Sequence, residues 1–146
     1  MLRYNYIHDI ASYSGSVGVI GIYLDDWASA HVLYGNIFEG VHIGVMIGSG
    51  RDNVLKRNVF VDCEHGVHFD ARGLGWAKYY FDGRTNTLFD RLDEIDYEDL
   101  PYLQRYPQLL YLLDDDPVLP KYNVILENKV WGCGQWMRYH NGMSDE

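Results

Sequence analysis

Two aspartates end runs of the same kind: Asp25 in "GIYLDD" and Asp70 in "GVHFDARG". Val67 and Phe69 alternate with His68 and Asp70, the period-2 pattern of a strand with one buried face. Two carboxylates facing one groove are what acid–base cleavage of a glycosidic bond requires. One stays protonated to donate to the leaving oxygen, and the other is ionised to activate water or to attack. Separations of about 6.5–9.5 Å favour inversion and those near 5 Å favour retention. Asp26, beside Asp25, is a third candidate acid. His68, Arg72, Arg138 and His140 are the candidates for tuning these acids or for holding a sugar hydroxyl. Tyr23, Trp27 and Trp76 offer flat faces for stacking sugar rings, with Tyr79 and Tyr80 beside Trp76.

Each of these residues also has a structural reading. An Asp at a strand end caps a turn. An Arg beside an Asp is often a surface ion pair worth about 0–1 kcal/mol. The aromatics of "GLGWAKYYFDG" can equally anchor the segment that follows. What brings Asp25 and Asp70 together must therefore come from the repeat.

Asn recurs in similar company: "RYNYIHDI" at Asn5, "YGNIFEGV" at Asn36, "KRNVFVDC" at Asn58 and "LENKVWGC" at Asn128. Asn36 and Asn58 are 22 residues apart, and the same offset maps Gly44–Gly48 on Gly66–Asp70. An offset of 70 maps residues 52–63 on residues 122–133. Each period holds two or three short β-like runs with Gly or Asn at the corners and no helix, which disfavours a leucine-rich repeat. The spacing predicts an all-β solenoid, a parallel β-helix of about four coils. The repeated Asn is expected to stack as a ladder at an inner corner, bonded to neighbouring backbones.

Stacking turns offsets into columns. Ile22, Val45, Val67 and Met137 share an inward column, and Leu24, Ile47, Phe69 and Tyr139 another. The outward columns are Tyr23, Met46, His68, Arg138 and Asp25, Gly48, Asp70, His140. Asp25 and Asp70 then lie two strands apart, about 10 Å between backbones, across a glycine. Cys63 and Cys133 fall at equivalent inward positions with Ile10 and Val41; they read as buried thiols close enough for a bridge to be conceivable. Two Cys without paired His support no metal site, and no cofactor is expected.

The chain reads as one β-helix domain over 1–146, with residues 9–20 lengthening the first corner and an arm inserted over 72–120. Leu88, Leu92 and Ile95 recur at helical spacing in that arm, and Pro107 suits the first turn of a helix through "QLLYLL". Asp114–Asp116 read as a solvated helix exit rather than a calcium loop.

The net charge of −9 argues against a nucleic-acid partner and suits a neutral or locally recognised ligand. No apolar run reaches the roughly 20 residues needed to cross a bilayer, so no membrane partner is expected. Strand-like sequence follows Met1 at once, with no signal peptide. The expectation is a fragment of a longer parent that is itself extracellular or periplasmic.

With "NYIHDI", "GIYLDD", "GNIF", "RDNVLKRNVFVDC" and "GVHFDARGLGWAKYYFDG" in view, the chain resembles right-handed parallel β-helices of the pectin-lyase-like superfamily. More closely it is similar to large bacterial β-helical proteins of plant polysaccharide breakdown. Those include glycoside hydrolases acting as α-L-fucosidases or xylanases, in which two aspartates carry the chemistry. The resemblance implies Asp70, inside "FDARGLGWA", as a catalytic candidate, with Asp25 or Asp26 as the second acid. It implies a polysaccharide or oligosaccharide substrate. A polysaccharide lyase using Arg72 or Arg138 as base is the alternative within enzymes. A non-catalytic carbohydrate-binding or structural β-helix is the alternative outside them.

Overall fold

The computed structural model describes residues 1–10 and 18–143. Most of the first-corner extension, residues 11–17, lies outside the described residues. Two compact units divide the chain: residues 1–71 with 120–146, and residues 72–119.

The first unit is built of short parallel strands in three sheets of four. One sheet holds β1 (Leu2–Arg3), β4 (Val32–Tyr34), β7 (Val54–Lys56) and β10 (Val124–Leu126) in that spatial order. The second runs β2 (Tyr6–His8), β5 (Ile37–Glu39), β8 (Val59–Val61) and β11 (Lys129–Trp131). The third runs β3 (Ile20–Leu24), β6 (Ile43–Gly48), β9 (His65–Asp70) and β12 (Gln135–His140). Every third strand in the chain thus returns to the same sheet, always parallel. Three parallel stacks of this kind are compatible with a parallel β-helix.

The corners explain why strands of three residues suffice. Between the first and second sheets the chain turns through a left-handed residue followed by Asn: Tyr4–Asn5, Gly35–Asn36, Arg57–Asn58 and Glu127–Asn128. A non-glycine residue there costs about 1 kcal/mol or more. The asparagines offset it. Asn36 accepts from the backbone N–H of Asn5, Asn58 from that of Asn36, and Asn128 from that of Asn58, at 3.1, 3.0 and 2.8 Å. Their Nδ2 groups donate to the next Asn and to the carbonyls of Leu2, Leu33 and Leu55. This is the expected ladder. A second one was not foreseen: Asn53 and Asn123 follow left-handed Asp52 and Tyr122 and bond the backbone N–H of His31 and Asn53 at 2.9 and 3.0 Å.

The inward residues form one core: Leu33 and Leu55, Phe38 and Phe60, and Leu24, Val45, Ile47, Val67 and Phe69. Ile22, Met137 and Tyr139 complete the two anticipated columns as partly buried members. Phe38 stacks on Phe60 at 4.7 Å, and Phe69 on Tyr139 at 5.5 Å. Burying each such side chain stabilises the fold by roughly 1.5–3 kcal/mol.

The second unit contains α1 (Thr87–Asp93), α2 (Tyr102–Arg105) and two short 3₁₀ turns, Lys78–Tyr80 and Pro107–Tyr111. None of these elements buries a residue completely. Two expectations need correction. Ile95 lies beyond α1, where its N–H tightens onto the Leu92 carbonyl three residues back. The segment from Pro107 is 3₁₀ and ends at Tyr111, with Asp114–Asp116 in irregular chain beyond it. Among the described residues no helix is long and apolar enough to cross a membrane.

Candidate functional site

The third sheet positions the candidate residues. Tyr23 pairs with Met46, Met46 with His68, and His68 with Arg138. Gly48 pairs with Asp70, and Asp70 with His140. Asp25 follows Leu24, which pairs with Ile47, so it stands one strand beyond Gly48. The column Tyr23, Met46, His68, Arg138 is therefore present in register, and so are Gly48, Asp70 and His140 of the second, while Asp25 lies just past the end of β3.

Their environments differ from simple outward exposure. Asp70 is only 5% exposed. Its Oδ1 accepts from Asn141 Nδ2 at 2.6 Å and lies 3.5 Å from His140 Nδ1. His68 is 7% exposed, and neither of its ring nitrogens has a hydrogen-bond partner. Burial is the main reason its pKa falls to about 4; the Arg138 charge adds to this, against the pull of Asp70. His68 is thus a neutral imidazole at neutral pH, edge-on to His140 at 6.0 Å.

Asp25 and Asp26 are exposed. The Asp25 carboxylate accepts the N–H of Asp26 at 2.9 Å, and the chain is left-handed at Asp26 and Trp27. That is the local turn geometry an Asp side chain stabilises. β3 and β9, which carry the residues before Asp25 and Asp70 itself, lie two strands apart in the sheet, about 10 Å between backbones. Tyr23 is 44% exposed on the neighbouring column and Trp27 is half-buried.

Arg72 and Trp76 belong to the second unit. Arg72 is buried, with its guanidinium 5.6 Å from the ring centre of exposed Trp76. Tyr79 and Tyr80 pack on each other at 4.3 Å.

Arg138 Nη1 reaches His65 Nε2 at 3.1 Å. His65 belongs to a group the sequence reading missed. His42 Nε2 is 3.0 Å from one Glu64 carboxylate oxygen, and His65 Nε2 is 3.7 Å from the other. Burial and the nearby Arg138 lower the His65 pKa. A signal was available: the offset of 22 that aligns Asn36 with Asn58 also sets His42 opposite Glu64. Asn141 was missed because it lies past the last alternating residue, where no pattern marks it.

Cys63 and Cys133 are both free thiols. Burial pushes the Cys63 thiol up to about 11, so it behaves as a small apolar core group rather than a nucleophile.

No protein-family model, curated protein or solved structure matches this chain.

Proposed function

We propose that the chain is a carbohydrate-active protein of the right-handed, pectin-lyase-like β-helix kind, with about four coils, and that it cleaves a plant or bacterial polysaccharide through Asp25 and Asp70. The observation that carries this reading is the ladder Gly48, Asp70, His140, with Asp25 directly after Leu24 at the end of the strand beyond Gly48. On this reading the two carboxylates face one groove, with only Gly48 on the strand between them. The backbone separation of about 10 Å favours the wider, inverting arrangement, in which water occupies the space between the acids. His68, Arg138 and His140 flank Asp70, and Tyr23 and Trp27 lie on the Asp25 side. A chain of net charge −9 suits a sugar polymer better than a nucleic acid. On this reading the full-length parent works outside the cell or in the periplasm.

The test is sugar release from a panel of polysaccharides and activated aryl glycosides, with D25N, D26N and D70N beside the wild type. Loss of either essential acid is expected to lower turnover about 10²–10⁴-fold on natural substrates, while D26N stays near wild type. The variant lacking the general acid keeps activity on aryl glycosides whose leaving group needs no proton. Unchanged release from D70N would refute the assignment.

A second reading, a non-catalytic carbohydrate-binding or structural β-helix, is favoured by one observation. Both carboxylates already bond within the fold, Asp25 to the N–H of Asp26 and Asp70 to Asn141. On that reading no polysaccharide is cleaved, and glycan binding survives the D25N/D70N double substitution.

A further inference from the structure

We propose that His42, Glu64 and His65 form a binding site for a divalent transition-metal ion, zinc foremost, distinct from the carboxylate column. The donors come from the starts of two paired strands. His42 immediately precedes β6, Glu64 precedes β9, and His65 opens it. The His65 N–H donates to the His42 carbonyl at 2.8 Å, and Ile43 pairs with His65 in the ladder. The backbones carrying all three donors are thereby fixed by sheet hydrogen bonds, which is what a precise ligand set needs.

The side-chain geometry fits zinc. One donor atom from each residue falls within a group whose members all lie within 4.8 Å of one another. Glu64 reaches both rings, with Oε2 3.0 Å from His42 Nε2 and Oε1 3.7 Å from His65 Nε2. Zinc bonds of about 2.0–2.1 Å place tetrahedral donors roughly 3.3 Å apart, between those two values. Two imidazoles and one carboxylate suit zinc better than calcium or magnesium, which take oxygen ligands. Three protein ligands leave a fourth position for water.

Two features set the expected strength. The Nδ1 atoms of His42 and His65 are buried without hydrogen-bond partners, so neither ring is braced from behind. Such bracing is worth about 10–100-fold in affinity elsewhere. Arg138 donates to His65 Nε2, the lone pair a metal would use. It is a built-in competitor that must swing aside on binding. The structure therefore assigns a moderate-affinity site that Arg138 weakens.

The experiment is zinc titration by calorimetry of the untagged protein at pH 7.5, with cobalt absorption as a second reading of coordination. One ion per chain is expected, with the visible bands of low-coordinate cobalt. E64Q, at a largely exposed side chain, is expected to weaken binding about tenfold or more while leaving the melting curve in place. H42A and H65Q are expected to abolish it. R138M is expected to tighten it about tenfold. Absence of zinc binding by the wild type, or binding unchanged in E64Q and H65Q, would overturn the site and leave a hydrogen-bonded staple. An R138M affinity equal to wild type would overturn the competition.

Discussion

Asn141 holds Asp70. Its side-chain amide donates to Asp70 Oδ1 at 2.6 Å from just beyond the end of the adjacent strand β12. Asp70 is nearly sealed from solvent, so its orientation is set by such neighbours rather than by water. Asn141→Ala is expected to destabilise the fold by about 1–2 kcal/mol. If Asp70 is catalytic, the same change lowers turnover with KM little affected, since Asn141 acts through Asp70. Asn141→Ser, which keeps a short donor, is expected to recover part of the loss. Turnover untouched by Asn141→Ala would mean that Asp70 needs no such positioning.

The pH dependence of stability is expected to carry the signature of His68. Its pKa is about 4 in the folded chain against about 6.5 unfolded. Between those values the unfolded state binds the extra proton, so stability is full above about pH 6.5 and is lost as pH falls towards 4. The loss reaches at most about 3 kcal/mol. Arg138, His140 and His65 oppose protonation and Asp70 favours it. Urea unfolding from pH 7.5 to 4 checks this. His68→Met, which repeats the Met46 above it in the column, is expected to flatten the curve over that window. A wild-type curve already flat there would refute a buried neutral His68.

The Asn ladder should be among the least replaceable parts of the fold. Asn58 is fully buried and its side chain makes four bonds, two accepted from Asn36 and one donated to each of Leu33 and Asn128. Asn58→Ala removes bonds to both neighbouring levels, Leu33 and Asn36 on one side and Asn128 on the other, and leaves the buried Asn36 N–H without its acceptor. The expected cost is about 3–5 kcal/mol, enough to threaten a domain of this size. Asn5, exposed at the ladder's end, should cost about 1 kcal/mol or less in the same test. Equal effects at Asn5 and Asn58, measured by denaturant midpoint, would show that burial does not govern the ladder.

How much of this was legible depended on whether a feature repeats. The Asn36–Asn58 spacing sufficed to pair Gly48 with Asp70, and the offset of 70 between the aligned segments added His140, because paired strands of a parallel sheet keep one offset along their length. The Asn53–Asn123 ladder lay inside the aligned segments but was hidden by adjacent apolar residues that drew the alignment. The His42–Glu64–His65 group was obscured because it mixes a same-column pair with a neighbour along the chain, so no single period marks it. The burial of Asp70 and His68 could not be read from alternation, which gives the face of a sheet and not its exposure.

The glycines second in β3, β6 and β9 of the third sheet offer the sharpest packing test. A Cβ on Gly44 would lie 2.7 Å from both the Gly66 carbonyl oxygen and the Phe60 ring. On Gly21 the corresponding atom would meet the Gly44 carbonyl at 2.7 Å. Neither the backbone nor the stacked Phe38–Phe60 pair can move away without opening the core. Gly44→Ala is therefore expected to cost about 1–3 kcal/mol through overpacking, although alanine adds one methyl group and suits a strand no worse than glycine. Phe60→Leu removes the ring edge that the new methyl strikes, though the backbone contact remains. The double substitution should thus be less destabilised than the sum of the two singles, by about 0.5 kcal/mol or more in a mutant cycle. Strict additivity would show that the Gly66 carbonyl, rather than Phe60, is what forbids a side chain at position 44.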